Sequence, residues 1–302
     1  MKLRLDRSLT LYLFSPGRQI FGSGSKSVPI LMYHSVCDQD ESGVHAYYRT
    51  STTPQVFSEQ MQFLKAEGYL SCSLDAALGY LKNDAAIERK LVVITFDDGY
   101  SDFYQHAFPV LQRYELTASM FLPTAYIGDS PLHFKDKDCL TWQRVRELSR
   151  YGISFGSHTV THPRLVEMNV DQIDNELATS KNTIEDQLGI PAESFAYPYA
   201  FPQTNTEFKR TLKDSLLRAG YRNGVCTVVG RADSQSEPLF LERLPANSDD
   251  DPALFAAKLA GAYDWISAAQ QISKTVKGRL RGLANRPKLN FNKELPTVQG
   301  PS

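Results

Sequence analysis

Cysteine is scarce in this sequence, and the cysteines that are present lie far apart. The four of them are Cys37, Cys72, Cys139 and Cys226, and none belongs to a C-x-x-C pair. This spacing argues against a dense disulfide framework. We expect free thiols, with a single disulfide as the open alternative.

The chain also lacks a strong net charge. Its 33 Lys and Arg residues nearly balance its 34 Asp and Glu residues, which gives a formal net charge of −1. The composition therefore gives no indication of nucleic acid as the main partner. Hydrophobic residues make up 42% of the chain and aromatic residues 11%, which is ample for a core and excludes a disordered protein.

Long apolar runs are missing as well, and no stretch is long enough to cross a membrane as a helix. The basic residues Lys2, Arg4 and Arg7 precede only a short apolar run at 9–14, which Ser15-Pro16-Gly17 interrupts. No small-residue cleavage site follows it cleanly, so we expect no secretory signal. We predict a cytoplasmic protein, or one at the inner membrane face, with export by another route left open.

What the sequence does contain is a regular alternation of strand-like and helix-like segments. The clearest helical pattern spans 170–188, where Ile173, Leu177 and Ile184 share one face and Gly189 follows. The alternation predicts an α/β fold with parallel strands in a single domain, either a barrel or an open doubly wound sheet.

The composition divides the chain into three segments. Residues 1–27 read as an N-terminal leader, 28–265 as the single α/β domain, and 266–302 as a basic tail. From Lys274 onward, seven Lys or Arg residues face a single acid, Glu294. We expect a flexible, solvated tail, with peripheral contact to an anionic membrane as the alternative.

The domain is organised around residues 91–100, which read L-V-V-I-T-F-D-D-G-Y. The first six residues are typical of a buried strand, and the strand stops at Asp97 and Asp98. Successive side chains on a strand point to opposite faces, so we expect the two carboxylates to have different roles. The alternative is that Asp97, Asp98 or Asp102 merely caps the next helix.

A second group of polar residues follows a short strand and includes two histidines four residues apart. A single helical turn would bring His158 and His162 to one metal ion, and Pro163 opposes a longer helix. Either histidine alone would more often be structural. Together with Asp98 they form a three-ligand set that leaves a catalytic metal an open position, and Asp97 would then be the general base for the attacking water.

Three segments resemble the first three motifs of the polysaccharide deacetylases, also called carbohydrate esterase family four or the NodB-homology domain. They read T-F-D-D-G at 95–99, S-H-T-V-T-H-P at 157–163 and F-A-Y-P-Y at 195–199. Their order and spacing fit the family. With V-P-I-L-M-Y-H-S at 28–35, the resemblance covers about residues 28–265.

The resemblance implies a distorted (β/α) barrel that removes N-acetyl groups from a glycan. Asp97 matches the family's catalytic base, and Pro198 and Tyr199 match a segment that lines the sugar groove, where the tyrosine backbone N–H helps to hold the oxyanion. The family's metal ligands match Asp98, His158 and His162. One divalent ion is therefore implied; this donor set suits Zn²⁺, and Co²⁺, Ni²⁺ or Fe²⁺ would also fit.

The sequence departs from the family pattern in two places. The family commonly has an Arg at the start of the third motif, whereas this chain reads E-S-F-A-Y-P-Y there. The family's late Leu-x-His is replaced by Leu241-Glu242-Arg243, and no histidine follows His162. We predict that Arg243 replaces the missing Arg as the partner of Asp97, and we group it with Pro198 and Tyr199 on the substrate-binding side.

The general acid must then come from elsewhere, and we predict His34. This histidine ends an early buried strand, and strand ends on the same face of a barrel converge on one site. The M-Y-H arrangement also resembles the poly-N-acetylglucosamine branch, in which an early-strand histidine is the acid. The alternative is a buried structural histidine.

The sequence thus predicts a metal-dependent hydrolase that removes N-acetyl groups from N-acetylhexosamine units of a polysaccharide or glycan precursor. An esterase for O-acetyl groups, for example on xylan, is the alternative within the same class, because an ester leaving group needs less protonation. A catalytically silent carbohydrate-binding module is the alternative from another class.

Overall fold

The computed structural model describes residues 4–15, 26–83 and 89–266. The strands in these ranges are Ser27–Val28 (β1), Ile30–Tyr33 (β2), Ser35–Val36 (β3), Ser51–Thr52 (β4), Leu70–Ser71 (β5), Leu91–Phe96 (β6), Ser119–Leu122 (β7), His133–Phe134 (β8), Lys137–Asp138 (β9), Ser154–Ser157 (β10), Ser194–Ala196 (β11), Asn223–Val229 (β12), Ala232–Asp233 (β13) and Leu241–Pro245 (β14).

Most of the helices follow a strand and cover the outside of the sheet. They are Leu5–Leu9 (α1), Pro54–Ala66 (α2), Leu74–Lys82 (α3), Phe108–Arg113 (α4), Trp142–Arg150 (α5), Val170–Leu188 (α6), Thr206–Arg218 (α7) and Pro252–Leu259 (α8). A π turn, Thr10–Phe14, extends α1, and another, Phe103–Ala107, precedes α4. Short 3₁₀ turns occur at Ala46–Tyr48, Thr124–Tyr126 and Leu165–Glu167.

The centre of the molecule is a closed barrel of parallel strands. Its order is β2, β14, β12, β11, β10, β7 and β6, and β6 pairs again with β2. Leu31 marks the closure, since it lies opposite Leu244 on one side and Ile94 on the other. The predicted single-domain (β/α) barrel is confirmed.

The barrel interior is filled by one apolar cluster near the amino ends of the strands. Six of the strands contribute Ile30, Val93, Phe121, Ala196, Val225 and Leu241. The seventh strand, β10, contributes Gly156, and a Cβ there would lie 2.8 Å from the Phe121 ring. Helix α3 and β1 add residues to the same cluster, which closes this end of the barrel.

Side-chain alternation then determines what fills the other end. Residues two apart on a strand share a face, so Asp97 follows Val93 and Thr95 into the barrel. By the same count Arg243 follows Leu241, and His34 follows Ile30. The polar end of the barrel is therefore its carboxyl end, where active sites of such barrels lie.

Two of the motif segments are only partly regular as strands in sequence. β14 contains Leu241-Glu242-Arg243, and two charged residues in L-E-R-L-P hide its apolar alternation. The third motif, at 195–199, is a strand only as far as Ala196. Pro198 has no N–H to donate, and Tyr199 has a φ of 61°, which leaves the strand conformation.

The proposed leader and tail lie only partly within the described residues. Residues 4–15 of the leader form α1 and its π turn, which pack beside the segment that follows β14. The tail from 267 onward lies outside the described residues, so the expected membrane contact through the tail stays a prediction. The segment boundaries at residues 27 and 265 also remain predictions.

Within the described ranges, none of the helices combines the length and the apolar character that a membrane crossing requires.

We predict that Gly156→Ala destabilises the protein by about 2 kcal/mol or more, because the new methyl group would lie 2.6 Å from the Ser194 carbonyl oxygen and 2.8 Å from Phe121. Gly79→Ala is the matched control. Gly79 lies in α3 with open space around its Cα, so alanine should be neutral or stabilise the helix by up to about 1 kcal/mol. Denaturant unfolding measures both changes, and equal stability of the two variants would contradict the packing described for β10.

Candidate active site

Polar side chains from several strands meet at the carboxyl end of the barrel. Asp97 and Asp98 directly follow β6, His158 follows β10, and His34 follows β2. Arg243 reaches the same region from within β14. The structure therefore brings together the residues that the sequence singled out.

Asp97 is held by a buried, two-pronged ion pair with Arg243. The Arg243 Nη1 and Nη2 atoms donate to the two Asp97 carboxylate oxygens at 2.8 and 2.7 Å. Arg243 also donates to the Thr95 hydroxyl at 3.1 Å and to the Cys226 carbonyl at 3.0 Å. Burial alone would raise the pKa of Asp97, but the guanidinium outweighs it and holds that pKa well below the usual range.

This ion pair places Arg243 behind Asp97 rather than on the cleft surface. The Arg243 side chain is fully buried, and its donors all point at groups of the barrel interior. The geometry suits a residue that orients Asp97. It leaves no part of Arg243 exposed for direct contact with a glycan.

Asp98 points away from Asp97, because its backbone has a left-handed φ of 71°. Its Oδ2 accepts hydrogen bonds from the Tyr100 hydroxyl at 3.0 Å and the Lys135 ammonium at 3.2 Å. Its Oδ1 lies 3.6 Å from His158 Nε2 and 3.4 Å from His162 Nε2. This Oδ1 atom is buried and has no hydrogen-bond partner among the described residues.

The two histidines present ring nitrogens to the same point. His158 Nδ1 lies 2.8 Å from the Ala196 carbonyl oxygen, so this nitrogen carries the proton and Nε2 keeps its lone pair. Burial and the neighbouring cationic groups lower the pKa of His162 to about 3, so its ring is neutral. Neutral imidazoles are the form that binds metal ions.

These three donors fit a divalent cation. One ligand atom each from Asp98, His158 and His162 lies within 4.8 Å of the others. Three ligands at tetrahedral angles and about 2.0–2.2 Å from Zn²⁺ would be separated by roughly 3.3–3.6 Å, close to the Asp98–histidine distances here. A buried carboxylate oxygen without a donor is also costly unless a cation meets it.

The loop between the histidines is not the helical turn expected from their spacing. Thr159 and His162 both have left-handed φ values, of 70° and 56°. The loop is held instead by Glu176 of α6, whose carboxylate accepts from Val160 N at 2.7 Å and from Thr161 N at 2.9 Å. A carboxylate on a neighbouring helix thus replaces the hydrogen bonds that a helical turn would supply.

His34 faces Asp97 across the opening of the barrel. Its Nε2 lies 3.9 Å from Asp97 Oδ2, and its side chain is 21% exposed. The distance exceeds a hydrogen bond, although such contacts are often long before substrate binds. Burial lowers the pKa of His34, and the nearby Asp97 and Asp98 oppose that effect.

Tyr199 forms part of the exposed rim of the cleft, and the preceding Pro198 is buried. The Tyr199 ring packs edge-on against His162 at 4.6 Å and lies 5.5 Å from the Lys135 ammonium. Its left-handed backbone turns the chain at the position where the family motif places the oxyanion donor. The exposed tyrosine ring and the lysine define one wall of the cleft.

The capping alternative for the aspartates is not what the structure shows. Asp102 precedes the π turn without accepting a capping bond, and its carboxylate instead accepts from Ser35 Oγ and Val36 N. Asp97 and Asp98 are likewise occupied by side chains of the site.

Three residues of the site were not found from the sequence. Tyr100 and Lys135 bind Asp98, and Glu176 holds the histidine loop. Glu176 carries a signal, since it interrupts the buried face of α6 formed by Ile173 and Leu177. Lys135 carries none, because it sits at the tip of the β8–β9 hairpin, which reads as an ordinary polar loop.

The comparisons with known proteins agree with this geometry. The polysaccharide deacetylase family profile matches residues 84–223. YxkH of Bacillus subtilis (strain 168), which is named after the same family, is 32% identical over 230 residues, covering 76% of this chain and 75% of that protein. The poly-β-1,6-N-acetyl-D-glucosamine N-deacetylase of Staphylococcus epidermidis is 26% identical, over 70% of this chain and 77% of the relative.

Two solved structures are similar in fold. The Streptococcus pyogenes deacetylase PplD, in complex with acetate, superposes with a TM-score of 0.67 at 28% identity, covering 78% of this chain and 99% of that one. IcaB from Ammonifex degensii has a TM-score of 0.65 at 22% identity, over 78% and 98% of the two chains.

The chain belongs to the polysaccharide deacetylase family, the NodB-homology or carbohydrate esterase family four domain. Membership makes it a hydrolase that acts on acetyl groups held in amide or ester linkage.

We predict that His158→Ala lowers affinity for Zn²⁺ by at least about a hundredfold, because the change removes one of three convergent donors. His133→Ala is the control, since the His133 side chain is 78% exposed and pairs with Asp138. Metal content after dialysis, with titration by a zinc indicator, checks both. Equal zinc content in wild type and His158→Ala would contradict the assigned ligand set.

Proposed function

We propose that this protein is a metal-dependent deacetylase that removes N-acetyl groups from N-acetylglucosamine units of a polysaccharide of the poly-β-1,6-linked type. The observation that carries the proposal is the convergence of Asp98 Oδ1, His158 Nε2 and His162 Nε2 beside the buried Asp97. The relative from Staphylococcus epidermidis, which bears the name of that activity, supports the choice of substrate.

Asp98, His158 and His162 would hold the metal ion. When bound, a divalent cation supplies polarisation of the acetyl carbonyl and a lower pKa for a nearby water. Zn²⁺ suits this donor set, with Co²⁺, Ni²⁺ or Fe²⁺ as alternatives.

Asp97 is placed to act as the base. Its carboxylate takes a proton from the attacking water while the water oxygen bonds to the acetyl carbon. Arg243 keeps the carboxylate ionised and fixes its orientation through two hydrogen bonds. The ion pair also weakens Asp97 as a base, so a nearby proton acceptor would help turnover.

His34 is placed to act as the acid. Its Nε2 faces Asp97 at 3.9 Å, so a proton taken from water has a short path to the imidazole. His34 then gives a proton to the amine nitrogen as the carbon–nitrogen bond breaks, and acetate and a free amine leave. The Tyr199 backbone N–H would stabilise the developing oxyanion.

One observation favours the alternative of ester cleavage. Burial lowers the pKa of His34, which leaves the resting imidazole without the proton that an amine leaving group requires. An alkoxide leaving group requires less protonation, so O-acetylated carbohydrate stays the second candidate. The expected location of the protein, in the cytoplasm or at the inner membrane face, stays a prediction for either substrate.

Acetate release from β-1,6-linked N-acetylglucosamine oligomers tests the proposal, with O-acetylated xylo-oligomers as the competing substrate. We expect the zinc-loaded protein to release acetate from the N-acetylated oligomers with the higher kcat/KM, and Asp98→Asn to release almost none. Preference for the O-acetylated substrate would overturn the amide assignment. Glycan binding without acetate release from either substrate would show a binding module.

We predict that Asp97→Asn lowers kcat by about a hundredfold or more with its metal retained, because the amide accepts no proton. Arg243 then loses its counter-charge inside the barrel, so the melting temperature should also fall. Zinc content per chain confirms that the variant is folded when turnover is measured.

The same assay applied to His34→Gln distinguishes a general acid at this position from a purely structural histidine. We expect lost turnover with wild-type zinc content and melting temperature, because the His34 side chain is no metal ligand and lies at the opening of the barrel. Unchanged turnover would return His34 to a structural role.

A further inference from the structure

The β8–β9 hairpin brings one lysine into the site. Lys135 lies at the tip of the hairpin, and its ammonium donates to Asp98 Oδ2 at 3.2 Å. The Tyr100 hydroxyl donates to the same oxygen at 3.0 Å. The other oxygen of this carboxylate, Oδ1, is the one that faces His158 and His162. The two oxygens of Asp98 therefore have different partners.

The hairpin is anchored on both sides of its tip. Before the tip, the buried Phe134 ring packs against the rings of Tyr126 at 4.4 Å and His162 at 5.1 Å. After the tip, the Lys137 ammonium donates to Ser35 Oγ at 2.6 Å. Aromatic packing on one side and a hydrogen bond on the other thus set the direction in which the tip points.

The tip has a backbone conformation that its residues do not favour. Lys135 and Asp136 both have left-handed φ values, of 49° and 63°. Two-residue hairpin turns with a positive φ at both positions normally take Asn-Gly or Asp-Gly, because these residues tolerate that conformation. A lysine there is strained, and strained backbone is concentrated at functional sites. The turn therefore points to a role for the lysine side chain.

The lysine also changes the negative charge that a cation would meet. Asp98 is the only anionic member of the donor set, because the two histidines bind as neutral imidazoles. The neighbouring Asp97 adds no free charge, since Arg243 pairs with it at 2.7 Å. An ammonium and a metal cation that share the Asp98 carboxylate repel each other, and a carboxylate that is 2% exposed is poorly screened by water.

We propose that Lys135 is a positioning residue of the metal site, which holds Asp98 Oδ2 so that the carboxylate offers Oδ1 to the cation, and whose charge lowers the affinity of the site for that cation. A cation bound beside an ammonium keeps more of its own positive charge, so it polarises a carbonyl group or a water more strongly. The effect on turnover rests on the proposed function, whereas the effect on metal affinity does not.

Zinc titration of the full-length, metal-free protein against a chromophoric chelator tests this proposal. Lys135→Met keeps the length of the side chain and its place beside the Phe134 and Tyr199 rings, but it removes the charge. We expect this variant to bind Zn²⁺ at least about tenfold more tightly than wild type, because the repulsion between two cations is lost. Lys135→Arg keeps the charge and should restore the affinity to that of wild type.

Lys213→Met is the matched control. Lys213 lies on α7, its side chain is 41% exposed against 42% for Lys135, and it pairs with Glu237 at 2.6 Å. Its replacement should leave zinc affinity unchanged. Tyr100→Phe removes the other donor to Asp98 Oδ2 without removing a charge, so it should change zinc affinity less than Lys135→Met does.

Turnover at zinc saturation is a second readout, and its expected change has the opposite sign. Lys135→Met should release acetate with a kcat at least about fivefold lower than wild type, although it binds zinc more tightly, because its cation polarises the acetyl carbonyl less. A merely structural role would lower zinc affinity and kcat together. If wild type releases no acetate from any substrate, the proposed function fails, and the zinc affinities alone decide the role of Lys135.

Three results would overturn the proposal. Equal zinc affinity of wild type and Lys135→Met would show that the ammonium has no effect on the charge of the site. Weaker zinc binding by Lys135→Met would show that the lysine only holds the carboxylate in place. Equal gains in affinity for Tyr100→Phe and Lys135→Met would assign the effect to competition for Oδ2 rather than to charge. Melting temperatures measured beside each titration confirm that the variants are folded.

Discussion

The ion pair between Arg243 and Asp97 is the interaction on which both the barrel and the site depend. A charged side chain inside a barrel is tolerated only when it is paired and its other hydrogen-bonding groups are satisfied. Here every arm of the guanidinium has an acceptor, from β6, the Asp97 carboxylate or β12. The pair thus joins β14 to the end of β6 and fixes the position of Asp97, the residue directly before Asp98.

Unusual backbone geometry contributes to the positions of the donor groups beside this ion pair. Asp98, Thr159 and His162 all have left-handed φ values, which L-residues adopt only when the surroundings impose them. Glu176 holds the loop that contains Thr159 and His162, and the Ala196 carbonyl fixes the tautomer of His158. One ligand atom each from Asp98, His158 and His162 therefore converges on the same point.

The sequence was sufficient for the parts that depend on short-range pattern. The α/β class with parallel strands and the helix at Val170–Leu188 follow from alternation and spacing, whereas the barrel follows from the resemblance to the family. The spacing of the histidines also groups them with Asp98. What it missed depends on contacts between distant segments. The turn expected between the histidines is replaced by a loop because Glu176, on a later helix, supplies its acceptors. β14 is hard to recognise from the sequence because Glu242 and Arg243 interrupt its apolar pattern, although Arg243 was predicted to pair with Asp97.

Closure of the barrel also depends on the order in which its strands are synthesised. β2 comes first among the seven barrel strands in the sequence, and one of its neighbours, β14, comes last. Until then the sheet has two open edges, and Asp97 has no guanidinium to neutralise it. The two histidines and Asp98 are by that stage already synthesised. A nascent chain of this protein therefore contains Asp98, His158 and His162 before its barrel can close. Strand β14 then adds both the Arg243 counter-charge and the final sheet pairing.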